Sequence, residues 1–151
     1  MEKAMSLLNA SNMVKIKLYY EEKKLPSGVN KIVILEDDEA KKLLESEDEP
    51  TKKRVQVLNT GWRSLTWKEQ NDITKESMYY DHNQGMQDVD YFSYRDQRIK
   101  KCLKNWDLKD EAGRPVTCDA DKIDQLPAEV VFALVNKYDA AVTLDEEERG
   151  K

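Results

Sequence analysis

The sequence predicts an α+β protein: a small N-terminal β-hairpin or β-β-α module, followed by a C-terminal domain of three to four helices. Three observations lead there. Val14-Lys15-Ile16-Lys17-Leu18 alternates apolar residues with lysine, the period of a half-buried strand. Ile32-Val33-Ile34-Leu35 is a run with strong β preference. Beyond Gly61 the apolar residues recur instead at three- and four-residue steps, the period of helices. The division expected from these changes is a module over 1–50 with a flexible N-terminus and an acidic linker, a mainly helical domain over 51–144, and a charged tail over 145–151.

Tyr19 and Tyr20 extend the first strand, and Leu25-Pro26-Ser27-Gly28 supplies the turn, with proline fixing φ and glycine free to take a positive one. The second strand runs from Val29 to Leu35. Asp37 or Asp38 is placed to cap a short, highly charged helix through Leu43, Leu44 and Glu45. The acidic stretch from Glu36 to Glu49, ending at Pro50, leads into the linker. Arg54-Val55-Gln56-Val57-Leu58 reads as a third short strand that closes at Asn59-Thr60-Gly61.

Thr66-Trp67-Lys68-Glu69 matches a capping box, in which the hydroxyl accepts from the Glu69 amide and the carboxylate reaches back. The helix it starts is expected to end between Tyr80 and Asn83, before Gly85. The next is expected to begin near Asp88 or Asp90 and to run to about Trp106. Tyr91, Tyr94, Arg95, Arg98, Cys102 and Trp106 form one stripe on it, and Phe92, Ile99, Leu103 and Trp106 an adjoining one. A tight turn at Ala112-Gly113 and a short helical turn from Thr117 or Asp119 follow. Pro127 suits the first position of a last helix, whose stripe is Val130, Val131, Leu134, Val135, Tyr138 and Val142.

Composition narrows the function. Charged residues make up 36% of the 151 and the net charge is −5, which disfavours phosphate backbones as partners unless cations are concentrated. Arg95, Arg98, Lys100, Lys101 and Lys104 form the main candidate basic patch, on a helix where they spread over more than one face. Lys52, Lys53 and Arg54 form a lesser one. Met5, Leu7 and Leu8 make an apolar island too short for a signal peptide, and no stretch approaches the roughly 20 apolar residues that span a bilayer. The expectation is therefore no membrane association and a reducing, cytoplasmic setting for the two cysteines, Cys102 and Cys118.

Signs of catalysis are absent from the motifs. The single histidine, His82, lies in a polar loop and lacks the companions of a zinc site. No nucleophile-elbow, zincin or phosphate-loop pattern occurs, and five glycines leave little for a phosphate cradle. Asp119, Asp121 and Asp124 fail the calcium-loop pattern, since Asp124 stands where the invariant glycine would be and Val130 where the bidentate glutamate would be. The reading is no enzyme, no metal and no cofactor. Three tryptophans and seven tyrosines are many for so polar a chain, and a surplus aromatic surface marks protein binding. Trp62, Trp67, Tyr91, Tyr94 and Trp106 are the partner-binding candidates.

One resemblance adds to this. The segments Trp62-Arg63-Ser64-Leu65-Thr66-Trp67-Lys68-Glu69-Gln70, Cys102-Leu103-Lys104-Asn105-Trp106-Asp107-Leu108, Asp110-Glu111-Ala112-Gly113-Arg114-Pro115-Val116 and Ile123-Asp124-Gln125-Leu126-Pro127-Ala128-Glu129-Val130-Val131 occur in an order that resembles tail assembly chaperone-like proteins of bacteriophage tail modules. The likeness covers about the C-terminal 60% of the chain. It implies a non-catalytic protein of the host cytoplasm that binds tape-measure or tube protein during virion assembly. A minor virion subunit of the baseplate, neck or connector would carry the same features. Partners would be other phage tail or virion proteins, with self-association compatible and nucleic acid or a host-directed regulatory role disfavoured. That group is largely helical, so the N-terminal β-module departs from it.

Overall fold

The computed structural model describes the backbone of residues 13–149 and the side chains of residues 13–142. In chain order the elements are β1 (Met13–Lys24), β2 (Asn30–Leu35), α1 (Asp37–Leu44), α2 (Glu49–Arg54), β3 (Gln56–Arg63) and α3 (Trp67–Ser77). They continue with β4 (Met78–Asp81), β5 (Met86–Val89), α4 (Tyr91–Cys102), β6 (Leu103–Trp106), α5 (Ala120–Asp124) and α6 (Ala128–Arg149). The architecture is mixed α+β. The apolar island at Met5, Leu7 and Leu8 lies outside the described residues, as do the side chains of the acidic segment from Asp145.

Four strands form one antiparallel sheet in the order β2-β1-β3-β6, and β4 and β5 form a separate hairpin. The sheet crosses the boundary expected at 50/51. Strand β3 pairs with β1 along its whole length, from Met13 opposite Arg63 to Tyr20 opposite Gln56. The boundary itself falls within α2, which stands where a linker was expected; Pro50 in its first turn is well placed because its missing N–H is not needed there.

The alternation in β1 sorts its side chains into two cores. Val14, Ile16, Leu18 and Tyr20 join a larger core with Leu58, Trp62, Ile99, Cys102, Leu103, Ile123 and the α6 stripe Val130, Leu134, Val135 and Tyr138. Tyr19 joins a smaller core with Leu35, Ala40 and Val55, where α1 covers the sheet. Buried Glu21 holds this side together, pairing with Arg54 at 3.1 Å and with Lys23 at 3.1 Å.

Several boundaries differ from expectation for local reasons. The first helix of the C-terminal part does start at Thr66, whose Oγ1 accepts from the Glu69 amide, and the capping box is complete. It stops at Ser77, however, because Met78-Tyr79-Tyr80-Asp81 pairs with Met86–Val89 across a turn in which Gly85 takes φ +66°. The helix capped by Asp90 ends at Cys102, not Trp106; Leu103 and Trp106 leave it to pair with Trp62 and Thr60 of β3. Strand β3 continues through Gly61, where a side chain would overlap Asn105 of the neighbouring strand. The cap of α1 is Glu36, with no side-chain bond, instead of Asp37 or Asp38. Asp119 caps α5 through the Lys122 amide at 2.9 Å. The Pro127 carbonyl accepts the first bonds of α6, which puts Pro127 at the cap rather than inside the helix.

A candidate protein-binding surface

The five aromatic candidates separate by environment. Trp62, on the core-facing side of β3, is 1% exposed. Its ring stacks on Tyr138 at 4.8 Å between centroids with planes 20° apart, and its indole N–H donates to Thr60 Oγ1 at 2.8 Å. Every part of it is used inside the fold, which corrects its reading as a contact residue. Trp106 is half-buried and donates to the Val116 carbonyl at 2.7 Å, fastening β6 to the following loop. Tyr94 is also half-buried; its hydroxyl accepts from Gln70 at 2.6 Å and ties α4 to α3. Trp67 and Tyr91 face outward, 79% and 75% exposed, each in the first turn of its helix.

Further apolar groups outside the expected set are exposed. Phe92 is 77% exposed, which removes it from the interior stripe where the three- and four-residue spacing placed it. Tyr79, Tyr80, Met78 and Met86 are exposed on the β4–β5 hairpin, and Phe132 on α6. The local signal for the hairpin was the Tyr79-Tyr80 pair, two β-prone residues just before a polar, glycine-containing turn.

Phe92 links two hollows. One, of about 240 Å³, runs between α4 and α6, where Phe92 and Phe132 stand over a floor of Ile99, Val131 and Val135. The Arg95 guanidinium lies 5.6 Å from the Phe92 ring centre and 4.8 Å from that of Phe132, within reach of a cation–π contact with both. The other hollow, of about 440 Å³, is lined by Tyr79, Asp88, Val89, Asp90, Tyr91 and Phe92. The Asp88 carboxylate first, then desolvation, then Asp81 and Asp90, hold the Tyr79 hydroxyl above its ordinary pKa.

The candidate basic patch is largely consumed by the fold. Arg98 donates to Asp139 at 2.8 Å and lies 5.3 Å from the Tyr138 ring centre. Lys100 pairs with Asp96 at 2.9 Å and with Asp124 at 2.8 Å. With Arg95 stacked on phenylalanines, only Lys101 and Lys104 of the five lack such an engagement among the described residues.

Burial pushes the Cys102 thiol up and the Cys118 thiol up to about 11, so little thiolate exists near neutrality. His82 is exposed, and its ring lies 4.8 Å from that of Tyr80 between centroids, with the planes 74° apart. Among the described residues, no group of three or more His, Cys, Asp or Glu side chains is arranged to hold a metal ion. No helix among them is long and apolar enough to cross a membrane. No protein-family model matches the chain, and no curated protein or solved structure matches it either.

Proposed function

We propose that this chain is a non-catalytic phage protein that binds tail proteins, tape-measure or tube, during virion assembly. The observation that carries the reading is the outward aromatic surface centred on Tyr91 and Phe92, continued by Tyr79 on one side and by Phe132 with Arg95 on the other. Large, rigid aromatic groups beside an arginine are the residue types that dominate the energetics of protein interfaces. Leaving them in water has no benefit for the isolated fold. The phage assignment itself rests on the sequence likeness from Trp62 to Val131, and the host cytoplasm follows from it as the place of action.

The test is co-expression with tape-measure and tube proteins, followed by affinity measurement for Tyr91→Ala, Phe92→Ala and Trp67→Ala. These exposed positions leave the core intact, so circular dichroism and melting temperature stay near those of the parent. The expected result is a loss of about tenfold or more in affinity for each Tyr91 or Phe92 variant. Undiminished binding by folded variants removes the surface from the proposal. Mass spectrometry of purified virions then separates the two roles: absence assigns a chaperone, and stoichiometric presence assigns a minor structural subunit.

A further inference from the structure

Strand β1 carries a second feature, which does not depend on the aromatic surface. Strand β1 is twelve residues long, yet β2 pairs only with Tyr19–Lys24. From Met13 to Leu18, β1 has β3 on one side and, among the described residues, no strand on the other. In a strand, alternate residues direct their N–H and C=O to the same side, so this half of β1 presents main-chain donors and acceptors that no ladder among the described residues uses.

The open edge lies in a notch of about 690 Å³ between α1 and α6. Ile16, Tyr19, Ala140 and Ala141 supply its apolar surface, and the two alanines leave room for an added chain beside α6. Lys15, Lys17, Lys41 and Lys137 surround it, against a single carboxylate among the described residues, Asp37. Asp37 is already paired to Lys137 at 2.6 Å, while Lys15, Lys17 and Lys41 have no ionic partner among the described residues. In a chain of net charge −5, this is a local concentration of positive charge that no described carboxylate beyond Asp37 balances, on a strand edge unpaired among the described residues.

We propose that the Met13–Leu18 edge of β1 accepts an acidic, extended segment of a partner protein as an additional strand. Main-chain bonds to β1 would supply the affinity, and the lysines would select the sign of the incoming side chains. A second copy of the same edge is a poor occupant, since lysines would then face lysines. Lysines on an open edge discourage such self-pairing; toward a carboxylate-bearing strand the same charges attract.

The experiment uses the full chain, labelled with nitrogen-15, and a ten-residue synthetic peptide alternating glutamate with valine, titrated at low salt. Amide shifts and slowed hydrogen exchange confined to residues 13–18 and the facing turns of α1 and α6 are expected. Reversing charge with Lys15→Glu and Lys17→Glu, both at exposed positions, should weaken binding by about tenfold or more. The same peptide N-methylated at every residue keeps its charge but has no N–H left on either edge to form a ladder, and it should not bind. Equal binding of the methylated peptide overturns strand addition, as does the absence of any binding at low salt. Binding seen only after removal of residues 145–151 also overturns it, because the notch would then belong to the chain's own acidic end.

Discussion

Arg63 holds Glu69 through two parallel bonds, Nη1 to Oε1 at 2.7 Å and Nη2 to Oε2 at 2.6 Å, while the same carboxylate accepts the Thr66 amide at 3.0 Å. One side chain thus joins the end of β3 to the first turn of α3 and completes the helix cap. The hydrogen bonds from Arg63, ahead of those from Thr66, hold the Glu69 carboxyl down at about 2. A carboxylate lowered in the folded state contributes stability above its unfolded pKa of about 4.3, and this contribution is lost as pH falls through the folded value.

Glu69→Gln is therefore expected to lower unfolding free energy at pH 7 by about 1–2 kcal/mol, less than the shift alone implies because solvent reaches the pair. The deficit relative to the parent should shrink between about pH 4 and pH 2 and vanish below. Urea titrations at pH 7, 4 and 2 measure it. A deficit that stays constant across this range would show that the ion pair is not its source.

Thr60 Oγ1 donates to the Ile16 carbonyl at 2.9 Å and accepts from the Trp62 indole, so one buried hydroxyl connects two strands and the largest core side chain. Thr60→Val keeps the volume but leaves the indole N–H unpartnered, which costs about 1–3 kcal/mol. Trp62→Phe removes that donor and the stacked indole together. The double variant should lose less than the sum of the two single losses, by about 1 kcal/mol, since the orphaned donor no longer exists. Denaturant midpoints of the four proteins decide the matter; strict additivity would contradict the link.

Ser77 is 2% exposed and its Oγ has no hydrogen-bond partner among the described residues. A buried unpaired hydroxyl is destabilising, and alanine also suits the last turn of α3 better. Ser77→Ala should raise stability by about 1 kcal/mol, or the melting temperature by about 2–4 °C. A lower melting temperature would mean that the hydroxyl does have a function in the folded chain.

What could be read from the sequence was what depends on neighbours in the chain. The Thr66–Glu69 cap, the Asp90 and Asp119 caps, the Leu25–Gly28 turn and the β1 alternation are each decided within a few residues. The misread elements are decided from far away. Leu103 and Trp106 fit a helical stripe as well as they fit a strand, and only the presence of β3 alongside draws them out of α4. Met78 likewise stands one four-residue helical step after Thr74, and the partner that turns it into β4 lies beyond Gly85. The candidate surface was half legible for the same reason. Tyr91 and Trp67 stand at helix starts and face outward, whereas Trp62 was claimed by Tyr138, a residue that no local pattern connects to it.

The position of β1 between β2 and β3 also governs when the molecule can finish folding. Ile16 and Thr60 are 44 residues apart, and Trp62 closes on Tyr138 of the final helix. An isolated two-stranded hairpin is marginal in water, and pairings between distant segments form slowly. As the chain emerges from the ribosome, β1 and β2 must therefore wait with Ile16 and Leu18 uncovered until α6 has been synthesised. The apolar face of the hairpin is a temporary hazard of synthesis, and the lysines that alternate with it keep the nascent segment in solution until its cover arrives.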